Sequence, residues 1–422
     1  MFALIVAVST LSFLPALPPQ DPAALLPPDT IFYTGTDSLR AGSQAAKKSA
    51  MHLVFNEPEV KAFLAKPLSI LDRVLGQAAE QQGFDKPPFT MSEFVLGEGD
   101  GPPIGKMFVA LTHVSLDMES GEPPDIGLII GLEMLSEDDL GMVRGLWDMI
   151  PSTQQETTYG GHAVFSKSPP GEEGFAARLT FLDNMAVASL SGRSLEGVID
   201  RYAGAGVGGN LAGSREYQRL MEVAGGLHAG GSVSYMEPAA MAELCRDGLA
   251  MAMMMQGESE MIPKVTGLID SLGLEAFVGL GSASYRDREG MVHATSVLFR
   301  DPDATGLLAD MVGELQPLDL SRLEGMPGNS MAASGSAVPR LAALYDFIMN
   351  TVEMFEPGAA AEVRAEIEKV MPEEQFRNDL LDNVGGSFWS FSLANQGVMQ
   401  MPASVYSLEA KDPDAFIAAL TK

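Results

Sequence analysis

The residues best able to do chemistry in this chain fall into a few short runs. Gly204-Ala205-Gly206-Val207-Gly208-Gly209 carries the Gly-x-Gly-x-x-Gly spacing that can cradle a dinucleotide pyrophosphate. That use requires a strand before the glycines and a helix after them, so that the phosphates meet a helix N-terminus. Here the run follows a helix predicted over Ser194 to Ala203, so it reads as a helix stop and a loop. Gly192-Arg193-Ser194-Leu195-Glu196 approaches the Gly-x-Ser-x-Gly of a nucleophile elbow, but Glu196 holds the final position and the glycine comes one residue late. Ser194 is therefore expected to cap the helix.

The five histidines, His52, His113, His162, His228 and His293, lie about 49 to 66 residues apart, and none forms a His-x-x-x-His or His-Glu pair. Structural roles are expected for them, with His293 in a strand and His52 at a helix end. Methionine is abundant, 26 residues, and is concentrated at Met251, Met253, Met254 and Met255 with Met241 and Met261 nearby. Such side chains fill irregular apolar cores; they can also line a groove for an apolar ligand, or bind soft Cu(I). Met251, Met253, Met254 and Met255 are the candidates for a ligand groove. Cys245 is the only cysteine, so no intrachain disulfide and no cysteine zinc site can form. The pattern Met241, Leu244, Cys245, Leu249 predicts a half-buried thiol on a helix.

The elements that must hold these residues can be read from period and punctuation. Three times a short strand feeds a helix: Ile31 to Thr36 into Asp37 to Ala50, Ser232 to Tyr235 into Pro238 to Met255, and Met331 to Ser334 into Pro339 to Glu353. A second helix is predicted after each, over Glu57 to Gln82, Ile262 to Leu272 and Ala359 to Asp382. Hairpins with alternating apolar and polar residues follow at Glu275 to Tyr285 with Met291 to Phe299, and at Ser387 to Leu393 with Ala403 to Leu408. Ile269-Asp270-Ser271-Leu272-Gly273 precedes the first hairpin and Leu381-Asp382-Asn383-Val384-Gly385 the second. Arg300-Asp301-Pro302-Asp303-Ala304 and Lys411-Asp412-Pro413-Asp414-Ala415 come after them, about 31 and 30 residues from the preceding aspartates, a spacing that suggests a repeat. Each Asp-Pro-Asp is expected to start a helix, the first Asp capping and Pro at the first helical position. As calcium ligands these acids would lack the rest of a binding loop. Phe388, Trp389 and Phe391 predict a central strand covered on both faces.

Three strands, Ala163 to Ser166, Phe175 to Phe181 and Met185 to Ser191, are predicted between the first two units, joined by Pro169-Pro170-Gly171 and Asp183-Asn184. The expected fold class is α+β, with repeated modules of antiparallel sheet carrying helices on one face. Modules are expected over 29–210, 211–320 and 321–422. Their opening Leu26-Pro27-Pro28-Asp29-Thr30 with Tyr33, the Asn56-Glu57-Pro58-Glu59 helix start, and the Leu195 to Tyr202 helix resemble exported bacterial proteins of unknown function. That resemblance implies export but supplies no catalytic residue.

Composition narrows the classes. The 422 residues carry 27 Lys plus Arg against 56 Asp plus Glu, a net charge of −29, which disfavours nucleic acid and anionic membranes. Phe2 to Leu17 is uncharged and too short to span a membrane comfortably, and it suits a secretory signal, although the first basic residue is Arg40. Residues 18–28 contain five prolines and predict an extended linker, with the folded body beginning near Asp29. The functional expectation is an exported, periplasmic or extracellular, non-catalytic protein that binds a protein partner or an apolar ligand, with no cofactor. The alternatives are a hydrolase whose carboxylates meet only in the fold, and a structural or assembly factor of the cell envelope.

Overall fold

The computed structural model describes residues 21–81, 101–115, 125–150, 152–168, 176–224, 230–287, 291–313, 317–393 and 404–421, with single residues 90, 92, 96, 226, 228 and 315. The signal-like run at 2–17 and the Pro169-Pro170-Gly171 turn lie outside the described residues. The chain is α+β. Its contacts divide it into two units, 1–241 with 278–299, and 242–277 with 300–422, so the boundaries differ from the expected cuts at 210 and 320.

In chain order the strands are β1 (Phe32–Thr36), β2 (Ile104–Ser115), β3 (Asp125–Met134), β4 (Thr153–Tyr159), β5 (His162–Ser168), β6 (Ala177–Leu182), β7 (Met185–Ser189), β8 (Ser232–Met236), β9 (Phe277–Arg286) and β10 (Val292–Arg300). They form one sheet in the order β10-β9-β8-β1-β2-β3-β7-β6-β5-β4, and every neighbouring pair whose register is resolved is antiparallel. β1 thus lies between β2 and β8, and Thr34 Oγ1 meets Ser234 Oγ at 2.9 Å. Asp183 sits at φ 50° in the tight turn joining β6 and β7, a conformation that aspartate tolerates better than most residues.

The helices are α1 (Leu39–Ala46), α2 (Ala50–Phe55), α3 (Pro58–Gln81), α4 (Glu137–Met149), α5 (Gly192–Tyr202), α6 (Arg215–Val223), α7 (Pro238–Gln256), α8 (Ile262–Leu272), α9 (Leu307–Val312), α10 (Leu341–Phe355), α11 (Ala359–Val370) and α12 (Pro413–Leu420). Serine side chains cap α1, α2, α4, α5 and α6, each accepting a backbone N–H that the first turn leaves unpaired.

The core of the first unit gathers Tyr33, Phe108, Ile129, Val187, Leu195, Val198, Ile199, Tyr217, Leu220 and Val233. Tyr33 and Tyr217 meet edge to face at 5.9 Å. Gly131 is required beneath Phe108, because a methyl group there would overlap the ring. The segment expected to be a free linker belongs to this core. Asp21 caps a short 3-10 turn at Pro22–Leu25, Tyr217 donates to Asp21, and Leu26 is 0% exposed. Leucines at 25 and 26 bury apolar area that an extended, solvated linker would leave in water, and this outweighs the extended preference of the prolines.

The second unit contains the sheet β11 (Ser330–Ala337), β12 (Val384–Leu393) and β13 (Ser404–Ala410), with β12 central. Trp389 and Phe391 are buried on one side of β12, while Phe388 stacks at 5.9 Å on the exposed Tyr406. The helix expected from 359 to 382 stops at Val370, because Pro372 cannot continue it; a separate helical turn follows. Asp412 caps α12, accepting from Ala415 N at 3.1 Å. Asp301 instead accepts from Asp303 N at 3.0 Å in a turn, and α9 begins only at Leu307, after Gly306 at φ 118°. The two hairpins read as copies also lie in different sheets, β9 and β10 in the larger and β12 in the smaller.

Candidate functional site

β2 and β3 pair in one register from Met107 opposite Leu132 to Leu111 opposite Leu128, then resume with Val114 opposite Ile126 and Ser115 opposite Asp125. Thr112 and His113 therefore stand opposite the single residue Gly127, which is a β-bulge. Bulges re-aim side chains, and this one lets two consecutive residues reach the same cluster. Gly127 is the residue the cluster can accommodate there: a Cβ would come within 2.5 Å of His113 Nδ1 and closer still to Thr112 Oγ1.

The third contributor is the start of α5. Ser191 caps the helix, its Oγ accepting from Ser194 N at 3.4 Å. The cap is therefore Ser191 rather than Ser194, because Ser191 has extended backbone while Ser194 lies within the first helical turn. Ser194 is thus free to place its hydroxyl 3.0 Å from Thr112 Oγ1 and 3.4 Å from His113 Nδ1. Thr112 also lies 3.2 Å from His113 Nδ1 and donates to Gly127 O at 3.0 Å.

His113 Nε2 lies 3.0 Å from Asp125 Oδ2. An ionised carboxylate only accepts, so Nε2 carries a hydrogen in either charge state of the ring, and when the ring is neutral Nδ1 presents its lone pair to the two hydroxyls. Burial works to raise the Asp125 pKa, but hydrogen bonds from His113 and Ser191 and the charges of His113 and Arg193 together hold it below the usual value. Asp125, His113 and Ser194 form a continuous chain from carboxylate to imidazole to hydroxyl. Chemically it can draw a proton from the serine while the imidazolium remains paired.

This chain opens on a cleft of about 730 Å³ in the first unit. Its walls include Asp29, Tyr159, Arg193, Glu196, Asp200 and Arg201. Tyr159 donates to Asp200 at 3.0 Å, and that bond to the carboxylate raises the tyrosine pKa. Arg201 donates to Gly197 O and Gly209 O, tying the end of α5 to its glycine loop. That loop follows the helix as expected, with Gly204, Gly208 and Gly209 at positive φ.

The sequence-derived candidates lie elsewhere. Met251, Met253, Met254 and Met255 are on α7, where Met255 is 79% exposed, and none of them lines the cleft. Cys245, on the same helix, is exposed rather than half-buried. Among the other histidines, His52 touches Asn56, His162 meets the Tyr202 ring, and His228 and His293 each stack on Tyr285. Sequence reasoning singled out Ser194 but missed His113 as its partner and Asp125 altogether. No family model, curated protein or solved structure matches this chain.

Proposed function

We propose that this is an exported protein whose first unit binds a small polar organic molecule in the cleft between the β2 bulge and α5. The observation that carries the reading is the lining: carboxylates, guanidinium groups, an imidazole and hydroxyls converge on one concavity. Such walls favour a polar ligand over the apolar one expected from the methionines, because burying an apolar molecule there would strip polar groups of water without pairing them. Export rests on the uncharged run at 2–17, which suits a secretory signal.

Titration calorimetry with amino acids, small carboxylic acids and their esters tests binding. A saturable ligand is expected, with affinity reduced about tenfold in Arg193→Ala, the size of one charge-assisted contact. If no compound saturates, or if the substitution leaves affinity unchanged, the binding reading ends. N-terminal sequencing of material recovered outside the cell tests export: a chain that still begins at Met1 refutes a cleaved signal.

A further inference from the structure

We infer that Ser194 is a nucleophile for acyl transfer, with His113 as its base and Asp125 as the positioning residue, and that the cleft hydrolyses a carboxylic ester. The inference rests on the cleft being a binding site. Its independent support is the arrangement of hydrogens. Thr112 gives its hydroxyl hydrogen to Gly127 O, and Asp125 fixes the His113 hydrogen on Nε2. The hydrogen left to move is that of Ser194, whose Oγ is within reach of both Thr112 Oγ1 and His113 Nδ1. A small rotation about the Ser194 side chain directs it to the imidazole.

The parts fit a two-step hydrolysis. Ser194 Oγ attacks the ester carbonyl carbon as its proton passes to His113 Nδ1, and the resulting imidazolium is held by Asp125. His113 then gives that proton to the leaving oxygen, the carbonyl carbon to leaving-oxygen bond breaks, and an alcohol departs from O-acyl Ser194. Water adds to the acyl carbon, losing a proton to His113, which returns it to Ser194 Oγ as the acid leaves. The sum is ester plus water to acid plus alcohol. Ser194 lies in the first turn of α5, and the guanidinium of Arg193 lines the same cleft beside the carboxylates of Asp29, Glu196 and Asp200, so a cationic donor is at hand for the developing oxyanion.

Ser194 is only 7% exposed, which sets the accessible reagents: a compact acyl group must descend to the floor of the cleft. The probe is a small alkyl phosphonofluoridate, which loses fluoride to an activated serine. Peptide mass spectrometry should place a single adduct on Ser194. Ser194→Ala should abolish that adduct, and His113→Gln should slow labelling at least about 100-fold, the lower range for general-base assistance. Circular dichroism and thermal unfolding of each variant separate lost chemistry from lost fold, and the unmodified chain gives a result that depends on no substitution. An unlabelled parent chain, an adduct on Thr112, or labelling that persists at the same rate in His113→Gln overturns the nucleophile. A parent chain that still binds a ligand by calorimetry but never labels loses this inference alone; one that neither binds nor labels loses the binding reading too.

Discussion

His113 Nε2 and Asp125 Oδ2 stand 3.0 Å apart where β2 and β3 resume their register beyond the bulge. The two residues are diagonal neighbours across the strand pair, since Asp125 pairs with Ser115, two positions beyond the re-aimed His113. With side chains 29% and 45% exposed, the pair sits at the rim of the protein rather than in its core. Its contribution is orientation, which a weak surface attraction suffices to provide.

Asp125→Asn should switch the ring. An amide nitrogen can donate to His113 Nε2, which moves the hydrogen to Nδ1 and removes the lone pair facing Ser194. Nitrogen-15 chemical shifts of the His113 ring should report hydrogen on Nε2 in the parent chain and on Nδ1 in the variant. An unchanged ring spectrum would show that Asp125 does not set the tautomer.

The same carboxylate should make stability depend on acid. Its folded pKa is below the ordinary 3.8, so in the folded chain it stays ionised to lower pH than in the unfolded one. The stabilisation it gives is complete by about pH 5, above the ordinary value, and is lost as pH falls through the folded value. Urea midpoints measured from pH 5 to pH 2 should therefore fall more steeply for the parent than for Asp125→Asn. Parallel curves would contradict the lowered value.

Gly127→Ala should disturb the cluster directly. The added methyl would press on Thr112 Oγ1 and His113 Nδ1, and the strand must shift to relieve it. The expected cost is roughly 1–3 kcal/mol, the usual range for overpacking, visible by chemical denaturation.

Lys167 should matter for stability far more than a surface lysine. It is 4% exposed, and its ammonium donates to Trp147 O at 2.5 Å and Ile150 O at 3.0 Å, closing the C-terminal end of α4. Lys167→Met leaves those carbonyls without that donor, a loss of about 1–3 kcal/mol. Urea unfolding of the variant checks this, and an unchanged midpoint refutes the role.

Leu26→Ala should be among the more damaging core substitutions, about 2–5 kcal/mol, because the side chain is fully enclosed. If residues 21–26 behaved as a loose leader, the melting temperature would not move.

Much of this architecture is legible in the chain, and the gaps have physical causes. α5, α7, α8 and the β6–β7 hairpin follow from caps, spacing and the Asp183-Asn184 turn. β3 runs Asp-Ile-Gly-Leu-Ile-Ile-Gly-Leu-Glu-Met, and a nearly continuous apolar stretch has no period that separates strand from helix. β2 ends in the bulge, which breaks its alternation just where His113 lies. The cluster joins residues about 81 positions apart in sequence, Ser194 and His113, and no local pattern encodes such a meeting. The one readable hint was the serine-rich Ser189-Leu190-Ser191-Gly192-Arg193-Ser194, which marks the helix start but offers three candidate caps.

The placement of β1 governs how the first unit is made. Its partner on one flank, β8, begins about 200 positions later, so during synthesis Phe32–Thr36 must wait with bare amide and carbonyl groups until Met236 has emerged. Assembly that depends on so distant a pairing is slow, and the naked flank invites neighbouring nascent chains to zip onto it. Fragments ending near residue 230 should accordingly scatter light as aggregates, while chains carried through β10 should stay dispersed.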